Sequence, residues 1–251
     1  MMNPSLSPSA AGGLPLAAIL ADPLRVAETA ASLAAVETKT GSGRSVKGYL
    51  GTSAKQAPAV LLIHEWWGLN DEIKAVAADL AERGYLALCV DLYEGKLTKD
   101  ADQAGAYMQA LDGRKATETL TAWIEWLRRH AAGTGKVGTV GWCMGGSWSL
   151  NGSIAAPVDA TVVYYGQVDR SAADLGKLKG PVQGHFAVRD QWITKPMVEG
   201  FAASMKQAGK TLDLHWYEAD HAFANPTGAN FQKADAKLAW DRTLGFFKSN
   251  L

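Results

Sequence analysis

The sequence predicts one α/β domain with a mostly parallel sheet and helices on both faces, preceded by an N-terminal extension. Short, wholly apolar runs such as Val60–Ile63 alternate with helical patterns, and such runs are typical of strands that a parallel sheet buries on both faces. The chain has 251 residues, 47% hydrophobic and 20% charged, which suits a single large globular domain. We find neither an internal repeat nor an interdomain linker. We therefore expect the extension at residues 1–36 and the domain at residues 37–251.

The composition argues against several classes of function. The 25 Lys and Arg residues balance the 25 Asp and Glu residues, whereas proteins that bind nucleic acid or anionic membranes usually carry a basic excess. No apolar run approaches the roughly 18 residues of a membrane span. The only cysteines, Cys89 and Cys143, are too few for a disulfide framework or a four-cysteine zinc site. Residues 1–24 contain no Lys or Arg, so they lack the positive region of a secretory leader. We expect a cytoplasmic protein, although a chain whose leader had been removed would show the same pattern.

The N-terminal part is predicted in three segments. Residues 1–13 are rich in Ser, Pro, Ala and Gly, a composition that predicts a mobile arm. Residues 14–36 are rich in Ala and Leu and predict one or two short helices, with a break at Asp22-Pro23. Residues 37–52 alternate in polarity around a Gly-Ser-Gly turn, which predicts an antiparallel hairpin at the sheet edge.

The first strand and helix of the repeating pattern follow. Val60–Ile63 predicts a buried strand. Asn70 is placed to cap the next helix, Asp71 and Glu72 suit its positive end, and Gly84 can close it.

The same alternation continues to the end of the chain, with right-handed crossovers expected. Leu120, Trp123 and Leu127 mark a helix that ends near Gly133, and a further helix follows Cys143. The remaining predicted strands are Tyr85–Val90, Val137–Trp142, Ala160–Tyr165, Val182–Val188 and Leu212–Tyr217, and the remaining helices are Met197–Ala208 and a final one carrying Ala236, Trp240, Leu244 and Phe247.

The segment Gly141–Gly145 lies where a predicted strand must turn sharply into a helix. Its spacing is that of a nucleophile elbow, with Cys143 in place of the usual serine. Glycines let strand and helix pass close together, and the N–H groups at the helix start can stabilise a thiolate or an oxyanion. Alone, the motif fits a small buried cysteine in a glycine-rich turn equally well.

Candidate partners for Cys143 occur in the order that α/β-hydrolases use, namely nucleophile, acid and base. Asp190 follows the predicted strand ending at Val188, and His221 follows the one ending at Tyr217. His221 would take the thiol proton, and Asp190 would orient the imidazole. Asp220 is a rival acid, ranked lower because sequence neighbours tend to point apart. Each residue alone has a structural alternative, a turn cap for Asp190 and a loop position for His221.

The loop His64–Gly68 follows the first buried strand, where α/β-hydrolases supply the second oxyanion donor. We expect the backbone N–H groups of Trp66 and Met144 to be the two donors. Trp66, Trp67 and Trp142 could wall an apolar pocket, although aromatic residues also fill ordinary cores. Glu65 is costly in such a loop unless it has a partner or a role.

Other polar residues are expected to be structural. His130 suits a helix C-terminus, His215 lies mid-strand, and Cys89 is a predicted core residue. His185 is a weaker candidate for shaping the site. A zinc site from His64, Glu65 and His221 is conceivable, but no metal-ligand spacing supports it.

Taken together, these segments resemble the dienelactone hydrolase family, the cysteine-dependent members of the α/β-hydrolase fold. The resemblance covers residues 37–251. It rests on motifs that occur in the family's order, namely Ile63–Gly68, Asp91–Tyr93, Gly141–Gly146, Tyr164–Gly166, the loop at Asp190, and Asp220–Asn225.

The resemblance implies hydrolysis of small esters or lactones through a thioester, without a cofactor. It implies a triad of Cys143, His221 and Asp190, with Glu65 close to the thiol, where it helps to hold or release the proton. The candidate substrate pocket consists of Trp67, Trp142, Tyr164, Phe223 and Asn225. The expected partner is the small substrate itself, and no oligomeric state is predicted.

One departure from the family bears on the substrate. Family members that act on dienelactone carry an arginine for the substrate carboxylate shortly after the catalytic histidine, where this chain has Asn225. The exchange removes a bidentate anion clamp. The region between Asp91 and Arg114 also looks short, and no second arginine can be assigned there. A less acidic ester or lactone is therefore an alternative to dienelactone.

Two non-hydrolytic functions stay open on the same fold. An exposed Cys143 could act as a redox-responsive thiol, although no resolving cysteine is evident. A catalytically idle scaffold could bind a ligand or another protein. Peroxide sensitivity without turnover would favour the first, and ligand stabilisation without turnover the second.

Overall fold

The computed structural model describes residues 14–251, and the arm expected at residues 1–13 lies outside them. Its eight strands form one sheet in the order β1-β2-β4-β3-β5-β6-β7-β8. The strands are β1 Ala34–Lys39, β2 Ser45–Gly51, β3 Ala57–Ile63, β4 Leu86–Val90, β5 Gly133–Trp142, β6 Ala160–Tyr164, β7 Val182–Ala187 and β8 Leu212–Tyr217. The pairs β1/β2 and β2/β4 are antiparallel, and the other neighbours are parallel. This confirms the predicted edge hairpin and the mostly parallel α/β fold.

The helices lie on both faces of this sheet. They are α1 Leu16–Leu20, α2 Pro23–Ala30, α3 Asp71–Glu82, α4 Ala101–Ala110, α5 Gly113–Arg129, α6 Met144–Ala155, α7 Ala172–Leu175, α8 Lys195–Gln207 and α9 Lys233–Asn250. Helices α3 and α9 contribute to the core on one face. Helix α5 contributes to the core on the other.

Strand β3 shows why the central strands are wholly apolar. Val60 and Leu62 pack into the core that contains α3 and α9, whereas Leu61 and Ile63 pack into the core that contains α5. Side chains alternate between the faces of a strand, so a strand covered on both sides needs an apolar residue at every position. The apolar run thus places the carboxyl end of β3, and the loop after it, at the centre of the sheet.

Helix α3 begins and ends as the sequence predicts. The Asn70 side chain accepts a hydrogen bond from the Ile73 N–H at 3.1 Å, which satisfies a first-turn donor. Asp71 and Glu72 occupy the first turn, where the helix dipole favours negative charge. Gly84 follows the helix with φ +93°, a conformation that glycine adopts without strain.

The structure differs from the sequence prediction at several elements. Helices α4 and α7 were not predicted, and α4 buries only Ala104, so its sequence shows almost no apolar face. Strand β5 begins at Gly133, four residues before the predicted start, because polar and glycine residues continue the pairing with β3. Strand β1 begins at Ala34, so it includes the last three residues of the predicted extension.

The N-terminal helices pack against the outside of the domain. Ile19 of α1, Val26 of α2 and Ala75 of α3 form a small buried cluster. Asp22 caps α2 by accepting a hydrogen bond from the Leu24 N–H, and Pro23 occupies the first turn. Within residues 14–251, none of the helices combines the length and apolar character that crossing a membrane requires.

Candidate active site

Cys143 occupies a strained turn between β5 and α6. Its φ is +53°, a left-handed conformation that non-glycine residues rarely adopt and that recurs at functional sites. A Cβ atom on Gly141 would lie 2.0 Å from the Gly145 carbonyl oxygen, and one on Gly145 would lie 2.2 Å from the Ile63 carbonyl oxygen. Only glycine therefore fits at either position, and the close packing places Cys143 beside the loop that follows β3.

A chain of hydrogen bonds links Cys143, His221 and Asp190. The His221 Nε2 atom lies 3.2 Å from the Cys143 Sγ atom, and its Nδ1 atom lies 2.7 Å from the Asp190 Oδ2 atom. The other carboxylate oxygen of Asp190 accepts hydrogen bonds from the Trp192 and Ile193 N–H groups, both at 2.9 Å. The three side chains have the mutual arrangement of a nucleophile, a base and an orienting acid.

Asp190 is held as an anion. Burial acts to raise its pKa, but hydrogen bonds from His221 and from two backbone N–H groups outweigh burial and lower the pKa below its ordinary value. The rival acid Asp220 forms an exposed ion pair with Arg189, at 3.1 Å between Nη2 and Oδ2. The two candidate acids thus have different partners, and only Asp190 bonds to the imidazole.

The Cys143 thiol is protonated in this arrangement. Burial raises its pKa to about 12, and the charges of Glu65 and Asp190 act in the same direction. A hydrogen bond from the Met144 N–H to the sulfur opposes them. The thiol is therefore a weak nucleophile at rest, and it needs a base within reach to become a strong one.

Glu65 is buried beside the thiol and has two neutral partners. Its Oε1 atom accepts a hydrogen bond from the Tyr165 hydroxyl at 3.3 Å, and its Oε2 atom accepts one from the Asn225 amide at 2.6 Å. Burial raises the pKa of Glu65 to about 7, although His221, Tyr165 and Asn225 act to lower it. Glu65 can therefore gain or lose a proton near neutrality, which changes the charge next to the sulfur.

His64 fixes the loop that carries Glu65. It is fully buried, and its Nε2 atom accepts a hydrogen bond from the Leu92 N–H at 3.2 Å. Its Nδ1 atom must then carry the proton, which it donates to the Glu65 carbonyl oxygen at 2.5 Å. Burial lowers the pKa of His64, so the ring is neutral and both of its nitrogens are occupied by the fold.

The two candidate oxyanion donors lie in different elements. Met144 is the first residue of α6, where a backbone N–H has no partner within the helix, and this N–H faces the sulfur. Trp66 lies in the turn after β3, and the close approach of Gly145 to Ile63 and His64 brings that turn against the elbow. Both donors are thus on segments that meet at Cys143.

The predicted substrate-pocket residues divide into two groups. Trp142, Tyr164 and Asn225 line a cavity of about 440 Å³ on the sheet face that carries α3 and α9. Trp67 is half-buried and packs edge-on against Trp66. Phe223 is fully buried, where it stacks on Tyr217 and contacts Tyr165. Phe223 is not among the residues that line this cavity.

Two aromatic residues beside His221 were not among the predicted site residues. The Tyr165 ring lies 5.2 Å from the His221 ring, and its hydroxyl bonds to Glu65. The Trp192 ring also lies 5.2 Å from His221 and is 68% exposed. Alternation along β6 could not give the direction of Tyr165, which follows the strand with a positive φ and lines the same cavity as Tyr164. Trp192 stands in an irregular loop, where no periodicity gives its direction.

The remaining histidines have structural contacts. His185 is buried, and its Nδ1 atom lies 2.8 Å from the Tyr217 hydroxyl. Burial holds its pKa well below the ordinary value. His215 lies 3.0 Å from Asp213, and His130 follows the last turn of α5. Cys89 is buried, and burial raises its pKa.

Metal-ligating side chains do not cluster in the part of the chain that the structure describes. Within residues 14–251, no group of three or more His, Cys, Asp or Glu residues is placed to hold a metal ion.

Comparison with known proteins gives consistent matches. Residues 46–251 match the sequence model described as the dienelactone hydrolase family. The protein named carboxymethylenebutenolidase from Pseudomonas putida is 29% identical over 227 residues, which covers 84% of this chain and 94% of that protein. Protein usf from Aquifex pyrophilus is 30% identical over 221 residues, covering 84% and 96%.

Solved structures show the same fold. The dienelactone hydrolase-like promiscuous phosphotriesterase P91, from metagenomic libraries, superposes with a TM-score of 0.78 at 20% identity, covering 87% of this chain and 98% of that chain. Esterase 2 from Thermogutta terrifontis superposes with a TM-score of 0.60 at 16% identity, covering 88% and 91%.

Proposed function

Because the chain belongs to the dienelactone hydrolase family and is a hydrolase, we propose that it cleaves small carboxylic esters or lactones with Cys143 as nucleophile. The observation that carries the proposal is the bonded series from Sγ to His221 at 3.2 Å and from His221 to Asp190 at 2.7 Å. It begins at the tip of a strained turn that only glycine neighbours allow. A nucleophile, a base and an orienting acid are thus within bonding distance of one another.

The proposed reaction has two halves. In the first, His221 Nε2 takes the Sγ proton while sulfur attacks the carbonyl carbon, and the N–H groups of Met144 and Trp66 stabilise the resulting oxyanion. The tetrahedral intermediate collapses to a thioester, and His221 gives its proton to the departing alkoxide or enolate oxygen. In the second half, His221 deprotonates a water molecule that attacks the thioester. Sulfur leaves as a thiolate and regains a proton, and a carboxylic acid is released.

Asp190 and Glu65 have different tasks in this proposal. Asp190 holds the Nδ1 proton of His221 and stabilises the imidazolium that forms during attack. An ionised Glu65 raises the pKa of the thiol, so it restrains thiolate formation, whereas a protonated Glu65 removes that restraint. Because the pKa of Glu65 is about 7, this change in its protonation occurs near neutral pH.

The surroundings of Glu65 favour a neutral substrate. Asn225 donates one hydrogen bond to Glu65 and carries no charge, so it cannot form the charged fork with which arginine binds a carboxylate. The Pseudomonas putida relative is named a carboxymethylenebutenolidase, which makes dienelactone a candidate substrate. We expect neutral esters and lactones to be hydrolysed faster than this anionic lactone.

The test is a substrate panel containing an aryl acetate, a neutral lactone and dienelactone. We expect the wild type to turn over the neutral substrates, and Cys143→Ala to lose at least about 10³-fold in kcat/KM while its circular dichroism spectrum and melting temperature are retained. Trapping the thioester by mass spectrometry in single-turnover samples would identify the acylated residue. Full activity in Cys143→Ala, or an inactive wild type, would refute the proposal.

A further inference from the structure

An apolar cavity of about 440 Å³ lies between α1, α3 and α9, next to Glu65. Its volume lies within the range of about 300–1,000 Å³ that small-molecule sites occupy. Its apolar walls come from three helices and the sheet, and they include Leu16, Leu20, Ile73, Val76, Trp240 and Leu244. The contacts of Cys143, His221 and Asp190 described above do not explain this cavity.

The inner end of the cavity shares wall residues with the surroundings of the thiol. Glu65, Tyr165 and Asn225 line this end, and Glu65 accepts hydrogen bonds from both Tyr165 and Asn225 beside Cys143. Trp142, which directly precedes Cys143, also lines the cavity. The inner end of the cavity is therefore next to the residues that surround Sγ, although neither Cys143 nor His221 lines it.

The charges in the cavity walls disfavour an anionic occupant. Glu65 and Glu72 both contribute to the walls, and their carboxylates would repel another one. The basic side chains of the wall are either paired or exposed: Arg83 bonds to Asp79 at 2.7 Å, Lys237 bonds to Asp241 at 2.6 Å, and Lys233 is exposed at the rim. The chemistry of the cavity thus suits an uncharged, mainly apolar group.

Part of the cavity wall lies outside the segment that matches the family. The match covers residues 46–251, whereas Leu16 and Leu20 belong to α1. Ile19, which is 1% exposed, anchors α1 to the domain through Val26 and Ala75. Helix α1 therefore completes a cavity that the matched segment alone would leave open on this side.

We propose that this cavity binds the apolar acyl or alcohol chain of the ester that reacts at Cys143. The inference rests on the proposed function and deepens it, because it assigns the substrate to neutral esters with an extended apolar chain. Burying each added methylene group should raise kcat/KM about threefold, until the chain fills the cavity.

The experiment uses two ester series with the full-length protein. One series varies the acyl chain in 4-nitrophenyl acetate, butyrate, hexanoate and octanoate, and the other varies the alcohol chain in ethyl, butyl, hexyl and octyl acetate. We expect kcat/KM to rise at least tenfold from the shortest ester to the six-carbon chain in one series. No rise in either series, with the short esters still hydrolysed, would overturn the inference while leaving the proposed function intact.

Two alanines of α9 provide a matched pair of variants. Ala236 lines the cavity, whereas Ala234 is exposed on the same helix and is not part of the wall. Ala236→Phe should remove the chain-length gain, whereas Ala234→Phe should retain it. If Ala236→Phe does not fold, Leu20→Trp fills the cavity from α1 and should give the same result. Equal chain-length gains in the filled variant and the control would refute the assignment.

Inhibition and binding experiments separate a failure of the proposed ester hydrolysis from a failure of chain binding in the cavity. Hexan-1-ol should inhibit hydrolysis of the six-carbon ester competitively in the wild type, because it occupies the space of the chain. If the wild type hydrolyses no ester, the proposed function fails. Titration of Cys143→Ala with octyl acetate then tests the cavity, with binding that Ala236→Phe abolishes as the expected result. Noncompetitive inhibition, or no binding, would overturn the inference.

Discussion

Replacing Glu65 by glutamine tests the charge beside the thiol through protein stability. The ordinary pKa of a glutamate is about 4.3, and burial raises the pKa of Glu65 to about 7 in the folded protein. Between these two values the folded state binds a proton that the unfolded state releases. The free energy of unfolding must therefore fall as pH rises from about 4.3 through about 7.

The size of this effect follows from the pKa difference. A pKa difference of roughly 2.7 corresponds to about 3.7 kcal/mol between protonated and ionised Glu65. Glu65 is only 7% exposed, so solvent screens it little. Glutamine has nearly the same shape and does not ionise, so the free energy of unfolding of Glu65→Gln should not fall in this way as pH rises. We expect similar stability for both proteins at pH 5, and an advantage of about 3 kcal/mol for the variant at pH 8.5.

Urea denaturation of both proteins at pH 5 and pH 8.5 measures this difference, because the titration of all other groups largely cancels in the comparison. For a chain of this size the advantage should also raise the melting temperature by roughly 6–12 °C at pH 8.5. Glu82→Gln, at an exposed position on α3, serves as the control and should show no pH-dependent difference. A difference between wild type and Glu65→Gln that is the same at both pH values would refute the reasoning.

Three further predictions concern the site. Asp190→Asn should lower kcat/KM by about 10³-fold or more, because the imidazole loses its charged partner, whereas Asp220→Asn should stay within about threefold; equal losses on 4-nitrophenyl acetate would contradict the assignment. Asn225→Arg should raise the ratio of kcat/KM for dienelactone to that for a neutral lactone at least about tenfold, because arginine supplies a charged fork for the carboxylate. An unchanged ratio would show that this position does not contact the substrate carboxylate. Trp192→Ala should raise KM for aryl acetates about threefold to tenfold, because it removes an exposed aromatic surface on which the aryl group can stack. Ethyl acetate, which has no ring, is the comparison, and equal effects on both esters would exclude stacking on Trp192.

The sequence was sufficient for features that local patterns determine. The apolar run at Val60–Ile63 predicted a central strand because both of its faces are covered, and the cap at Asn70 predicted the start of α3 within one residue. Helix α4 has neither signal, since it buries only Ala104. A helix that buries few side chains needs no periodic apolar face, so the pattern of polarity in its sequence does not predict the helix.

Side-chain direction at the site was harder to predict than chain position. The chain order, with each residue at or just after the end of a predicted strand, indicated that Cys143, Asp190 and His221 could act together. It could not indicate that Tyr165 would turn towards Glu65 while Tyr164 turned to Thr243. Tyr165 follows β6 with a positive φ, so the alternation of a strand does not apply to it, and such a conformation is set by contacts between distant segments.

The exchange of a single residue connects the charge of Glu65 with the cavity behind it. An arginine at position 225 would lower the pKa of Glu65 through its positive charge and would place a long side chain at the inner end of the cavity. Asn225 does neither, because it is short and neutral, so Glu65 keeps a pKa of about 7 and the cavity remains open beside it. Suppose that Asn225→Arg both reduces the pH-dependent stability loss caused by Glu65 and abolishes the rise of kcat/KM with chain length. The raised pKa of Glu65 and the open cavity then have one physical origin. The neutral-substrate preference and the proton on Glu65 would then be consequences of the same substitution.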